Sequence, residues 1–167
     1  MAVAPDGTWL ACVDGSSVWI WDLPGGALRH RIRVFRELHN VVVGPDSDWV
    51  AAAGDEGAVH IWDAASGNER LSFRAAEVSE RITGIAVGPD GTWLATADTV
   101  GQLGVWDPGA GRRSAWAHGT GWLPAVAVTS NGRRLAAADA NRGIEWSTRA
   151  RSSRPRRHSS STVRTSP

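Results

Sequence analysis

The sequence predicts an all-β fold assembled from successive units of four short antiparallel strands. Three observations predict it. A turn phrase recurs as Pro5-Asp6-Gly7, Pro45-Asp46-Ser47, Pro89-Asp90-Gly91 and Ser130-Asn131-Gly132, at spacings of 40, 44 and 41 residues. A second phrase ends in Trp21-Asp22, Trp62-Asp63 and Trp106-Asp107, with Trp spacings of 41 and 44. Between these landmarks the apolar residues fall in runs of strand length, and no window of helical period competes with them. Two landmarks holding one period over three copies mark a repeat array.

The third unit shows how each element follows. Residues 81–87 (RITGIAV) predict a first strand. Gly88-Pro89-Asp90-Gly91 predicts a tight turn, because Pro presets φ at about −65°, Asp bonds local backbone and Gly accepts positive φ. Residues 92–97 (TWLATA) are the second strand, and residues 98–101 turn it back. Residues 102–106 (QLGVW) are the third strand, 107–111 a further turn, and 113–116 the fourth strand. Some strands are apolar on both faces, as in Val18-Trp19-Ile20-Trp21, which suits a sheet covered on each side.

These phrases resemble the WD40 repeat family. The resemblance covers residues 1–146 and rests on the Pro-Asp-Gly turn, the small-residue second strand and the Trp-Asp dipeptides. It implies β-propeller blades of four antiparallel strands, with repeats at about 1–40, 41–84 and 85–125 and a partial fourth at 126–146. It gives Trp21, Trp62 and Trp106 a core role, and Trp9, Trp49 and Trp93 a role in packing between blades. Asp22, Asp63 and Asp107 become turn-formers that bond local N–H groups. A propeller has about 4–8 blades, so the repeats predict an incomplete ring. A second copy or another polypeptide could complete it, or it stays open.

The family ties each blade with a hydrogen-bonded set of His, strand Ser or Thr, turn Asp and Trp, and this sequence departs from that set. The Gly-His opening is best matched by Ala117-His118; the second unit has His39 and the third has none. The strand positions Cys12, Ala52, Thr96 and Ala137 keep one hydroxyl, and the turn positions Gly15, Glu56 and Val100 keep one acid. No unit holds the full set, so apolar packing is expected to hold the blades together.

The fourth unit follows the pattern from Val126 to Asp139 and then fails. Glu145 stands where the earlier units have Ile20, Ile61 and Val105, and Ser147 replaces the Asp. Residues 147–167 carry six Arg, no acid and two apolar side chains, Ala150 and Val163, too few to order the segment, so a disordered tail is expected. A shifted reading frame inside this unit and a natural tail both account for the change. The rest of the chain has 12 Arg against 17 acids, an acidic body of net charge −5. All 18 basic residues are Arg, as a GC-rich coding sequence would give.

Composition excludes several functions. The longest apolar runs are a few residues, too short to span a membrane, and residues 1–6 show no secretory leader. Cys12 is alone, which fits a reducing, cytoplasmic setting. His30, His39, His60, His118 and His158 show no metal-ligand spacing, and there is no nucleophile elbow or phosphate loop. No cofactor, metal or catalytic residue is expected, and the acidic body argues against a dedicated nucleic-acid fold. The resulting reading is a non-catalytic protein–protein interaction scaffold, a fragment of a larger bacterial-type propeller protein with unidentified protein partners. One alternative is a truncated or frameshifted product without its own function; another is a propeller-based small-molecule sensor or enzyme module. Trp19 and Trp122 do not recur between units and, with His118 and Glu56, are candidate partner contacts, because Trp favours binding hot spots. The connecting segments 36–40, 77–82 and 117–124 and the turns 14–17, 54–58, 98–102 and 139–143 are the expected contact regions.

Overall fold

A computed structural model describes residues 1–77, 79–119 and 121–138, together with the backbone of 144–147. Every regular element in that range is a strand. Blade I comprises β1 (Ala2–Val3), β2 (Trp9–Asp14), β3 (Ser17–Asp22) and β4 (Leu28–Arg33). Blade II comprises β5 (Leu38–Val43), β6 (Trp49–Gly54), β7 (Ala58–Asp63) and β8 (Glu69–Arg74). Blade III comprises β9 (Ile82–Val87), β10 (Leu94–Asp98), β11 (Gln102–Asp107) and β12 (Arg112–His118). Blade IV shows three strands, β13 (Ala125–Val128), β14 (Arg134–Ala138) and β15 (Ile144–Ser147). Within each sheet, strands adjacent in sequence pair antiparallel, and the four sheets stay separate. Of the expected tail at 147–167, Ser147 instead ends β15, and residues 148–167, like the turn at 139–143, lie outside the described residues. Among those described, no helix is long and apolar enough to cross a membrane.

The turn phrase does what its chemistry predicts. Gly7, Gly91 and Gly132 have φ of 72°, 69° and 65° at the third turn position, and Ser47 takes the same position at 62°. The Asp or Asn before it accepts a backbone N–H two residues on, from Thr8 to Asp6 at 2.9 Å, Thr92 to Asp90 at 3.1 Å and Arg133 to Asn131 at 3.0 Å. The strand-ending acids behave likewise. Asp63 Oδ1 accepts the Ser66 N–H at 2.8 Å, and Asp107 Oδ1 that of Gly109 at 2.8 Å. Asp22 instead holds Arg29 Nε at 2.7 Å.

The core lies between blades. Each blade has a forward face, toward the next blade, and a rear face. Trp9, Ala11, Val18 and Ile20 of blade I pack forward onto Val41, Val50, Ala52 and Trp62 of blade II. Trp49, Ala51, Val59 and Ile61 of blade II pack onto Ile82, Ile85, Leu94 and Trp106 of blade III. Ala95, Ala97 and Leu103 of blade III pack onto Leu123, Leu135 and Ala137 of blade IV. Successive inner strands β1, β5, β9 and β13 lie side by side.

Burial follows from this stacking. In blades II and III every residue of the second strand, β6 and β10, is buried, because both faces are covered. In blade IV the second strand, β14, alternates exposed and buried. One expectation is corrected here. Trp21 was expected in the core with Trp62 and Trp106, which are 3% and 6% exposed. It is only half-buried. It pairs with Leu10 as Trp62 pairs with Val50 and Trp106 with Leu94, so it belongs to the rear face, and blade I has no blade behind it among the described residues.

Candidate interaction rim

One end of the stack is built from the connections between blades and from the turns joining the second and third strands of each blade. The connection after blade I, residues 34–37, is tied to that blade's turn by Val34 N–H to Ser16 O and Leu38 N–H to Gly15 O, both 2.8 Å. The connection after blade II repeats this, with the N–H groups of Ala75 and Ala76 donating to Gly57 O at 2.7 and 2.9 Å. After blade III, Gly119 N–H donates to Gly101 O at 2.7 Å and Leu123 N–H to Asp98 O at 3.2 Å. The next blade's turn then bonds back, Asp55 N–H to Glu37 O at 3.0 Å and Thr99 N–H to Arg81 O at 3.1 Å. The loop backbones are thus held by one another, and several side chains are left to solvent.

Three of these are large and apolar. Phe35 is fully exposed in the first connection, Trp122 is 54% exposed in the third and Val100 is 38% exposed in the blade III turn. Charged groups lie among them. Arg36 Nε meets Glu56 Oε1 at 2.7 Å, and Arg74 Nη1 donates to the Glu56 carbonyl at 2.9 Å. Asp55 Oδ1 accepts from both His39 Nε2 and Arg81 Nε at 2.7 Å, so it links blade II to the connection leading into blade III. The His39 bond and then the Arg81 charge hold the Asp55 carboxyl below its ordinary value. A groove of about 290 Å³ opens beside them, with Phe35, Arg36, Asp55 and Glu56 in its wall.

Glu37, His39 and Asp55 bring three ligand atoms within 4.8 Å of one another, close enough for a divalent cation. Arg81 already occupies the Asp55 oxygen, and its fixed positive charge opposes a second cation there. In this geometry Asp55 is engaged by His39 and Arg81.

In the blade III turn the acid sits at Asp98, two residues before the position marked by the family pattern. Asp98 is buried, and its Oδ1 accepts the N–H groups of Val100 at 3.0 Å and Gln102 at 2.7 Å. Burial raises its pKa, against the lowering effect of those two bonds. Thr96 accepts a buried bond from Trp106 Nε1 at 2.9 Å, so this blade keeps the Trp–hydroxyl half of the family's set.

The four candidate contacts fall in different places. Trp122 and Glu56 are on the rim, Trp122 exposed and Glu56 held by Arg36. His118 is exposed beside the rim, its Nδ1 within 2.7 Å of the Gly119 carbonyl, and among the described residues it joins no Trp or Asp. Trp19 lies away from the rim on the rear face of blade I, stacked on Trp21 at 6.1 Å, with the Arg31 guanidinium 4.2 Å from its ring. Sequence reading missed Phe35. Its signal was available: an aromatic residue in a charged connection, one position before the segment singled out.

Residues 33–63 match the family described as WD domain, G-beta repeat. That span runs from the end of β4 through the connection and the first three strands of blade II, so the sequence repeat straddles two blades. No curated protein matches the chain. The period, the blades and the matched segment agree with the chain's resemblance to the WD40 repeat family.

Proposed function

We propose that this chain is a non-catalytic docking scaffold of the cytoplasm whose rim, centred on Phe35 and Trp122, receives a protein partner. The observation that carries this reading is the exposure of both aromatic rings on loops whose backbones are already hydrogen-bonded. Side chains presented from a fixed backbone lose little entropy on binding, and aromatic anchors dominate interface energetics. Glu56 and Arg36 on the groove wall supply the polar border such a surface needs.

The test is site-specific photo-crosslinking in the expressing cell. A photoreactive residue replaces Phe35, Trp122 or, as a control at the other end of blade II, Ser66. Adducts are expected from positions 35 and 122 and not from 66. Adduct yields equal at all three positions would overturn the rim as the docking surface.

A further inference from the structure

The outer strand of blades I, II and III, β4, β8 or β12, ends its sheet, and among the described residues no strand pairs with its outer side. An open edge invites pairing with another chain unless charge guards it. β4 carries Arg29, His30, Arg31 and Arg33. β8 carries Glu69, Arg70 and Arg74, and Arg70 is tied to Asp48 and Asp63. β12 is guarded at its start alone, by Arg112 and Arg113. The run Ser114-Ala115-Trp116-Ala117 that follows carries no charge, and Trp116 is 58% exposed.

Pairing within blade III sets what this edge presents. Trp106 faces Arg113 and Val105 faces Ala115, so Ser114 is the extra residue of a bulge. The bulge brings Arg113 and Trp116 to one face of the sheet, with Trp106 and Gly104 as their respective neighbours on β11. The Arg113 guanidinium lies 5.7 Å from the centre of the Trp106 ring. Gly104 has no side chain to cover the indole of Trp116. Blade II has Ser72 opposite His60 at the matching positions.

We infer that two copies of this chain pair their β12 edges antiparallel, with Arg113 of each opposite Trp116 of the other, joining two four-stranded sheets edge to edge. In this register like faces stay together across the seam, because the bulge has put Arg113 and Trp116 on the same side. Arg112 then stands opposite Ala117, so every Arg of the strand faces an uncharged residue. A planar guanidinium has two faces. Trp106 takes one face of Arg113, and the second copy's Trp116 takes the other in a cation–π contact. The seam is self-complementary, as a two-fold dimer requires. It stands independently of rim docking, since Phe35 and Trp122 lie outside β12.

Sedimentation velocity of the full chain tests this, with Trp116→Arg and Arg113→Glu as variants at exposed sites. Arg113→Glu copies the arrangement of blade II, where Glu69 faces Trp62. Wild type is expected at twice the 17.8 kDa chain mass and each variant at the single mass, with β-sheet circular dichroism retained. An equimolar mixture of the variants is expected to recover the doubled mass. In the mixed pair Arg113 still meets Trp116 on one side, and the introduced guanidinium meets the introduced carboxylate on the other. Wild type that stays at the single mass up to roughly 100 µM, a variant that keeps the doubled mass, or a mixture no heavier than its components would overturn the inference. Wild-type Trp emission reads the same contact without any variant: a blue shift with concentration is expected, and an unchanged spectrum would count against burial of Trp116.

Discussion

At the scale of single residues, blade III differs from its neighbours by one buried hydroxyl. Trp106 Nε1 donates to Thr96 Oγ1, whereas the same strand position is Cys12 in blade I and Ala52 in blade II. An indole N–H left without an acceptor in a closed core costs about 1–3 kcal/mol. Thr96→Val keeps the shape and removes the acceptor, so it is expected to lower unfolding stability by that amount in a urea titration. A loss below a few tenths of a kcal/mol would show that the bond stabilises nothing. Asp98 makes a related point about what one sequence can reveal. The family pattern directed attention to Val100, and the acid lay two residues earlier, because a carboxylate can reach the same turn N–H groups from either end. A pattern position identifies a residue type and leaves its hydrogen-bond geometry open.

At the scale of elements, the turns were the most legible part of the chain. Pro, Asp and Gly have local conformational preferences that need no tertiary context, and the four turns took the same backbone form. Ser47 is the exception in composition, a non-Gly residue at φ 62°. The left-handed region costs a residue with a Cβ roughly 1–2 kcal/mol. The greater freedom of Gly in the unfolded chain offsets part of that gain, as does loss of the 3.2 Å bond from Asp6 N–H to Ser47 Oγ. Ser47→Gly is therefore expected to raise stability by about 1 kcal/mol, read as a higher melting temperature with an unchanged urea slope. A decrease would mean that the Asp6 bond outweighs the strain. Strand positions were legible too, to within a residue or two. Blade boundaries were harder to read: the recurring phrase begins inside β5, β9 and β13, whereas the spatial breaks come earlier, in the connections.

At the scale of the whole molecule, exposure depends on where a blade stands in the stack, which no local window contains. Trp21, Trp62 and Trp106 share a motif, and only the first is half-exposed, because blades II and III have neighbours on both sides. The same reasoning ranks the sheets by local stability. Strands buried on both faces open only with their neighbours, whereas terminal strands open alone. Amide hydrogen exchange on the wild-type chain is expected to protect β6 and β10 longer than β2 and β14. Equal protection in all four would mean that the stack unfolds as one unit. The candidate rim was only partly legible for the same reason. The sequence marks its loops, but the exposure of Phe35 and Trp122 is decided by how neighbouring blades place those loops.

The repetition of one contact also bears on how the chain finds its order. The forward faces of blades I, II and III all offer small second-strand residues, so blade I meets three rear faces as the chain folds, and two of those pairings are wrong. The four residues 34–37 between blades I and II favour the correct choice, because so short a tether brings blade II into reach long before blade III or IV. Folding in such an array proceeds by nearest-neighbour steps, each completed surface serving as the template for the next. Lengthening that tether would leave the inter-blade core intact and still slow folding, since the competing pairings would then differ less in entropy from the native one. In this chain the short linker adds information on blade order to what the interfaces supply.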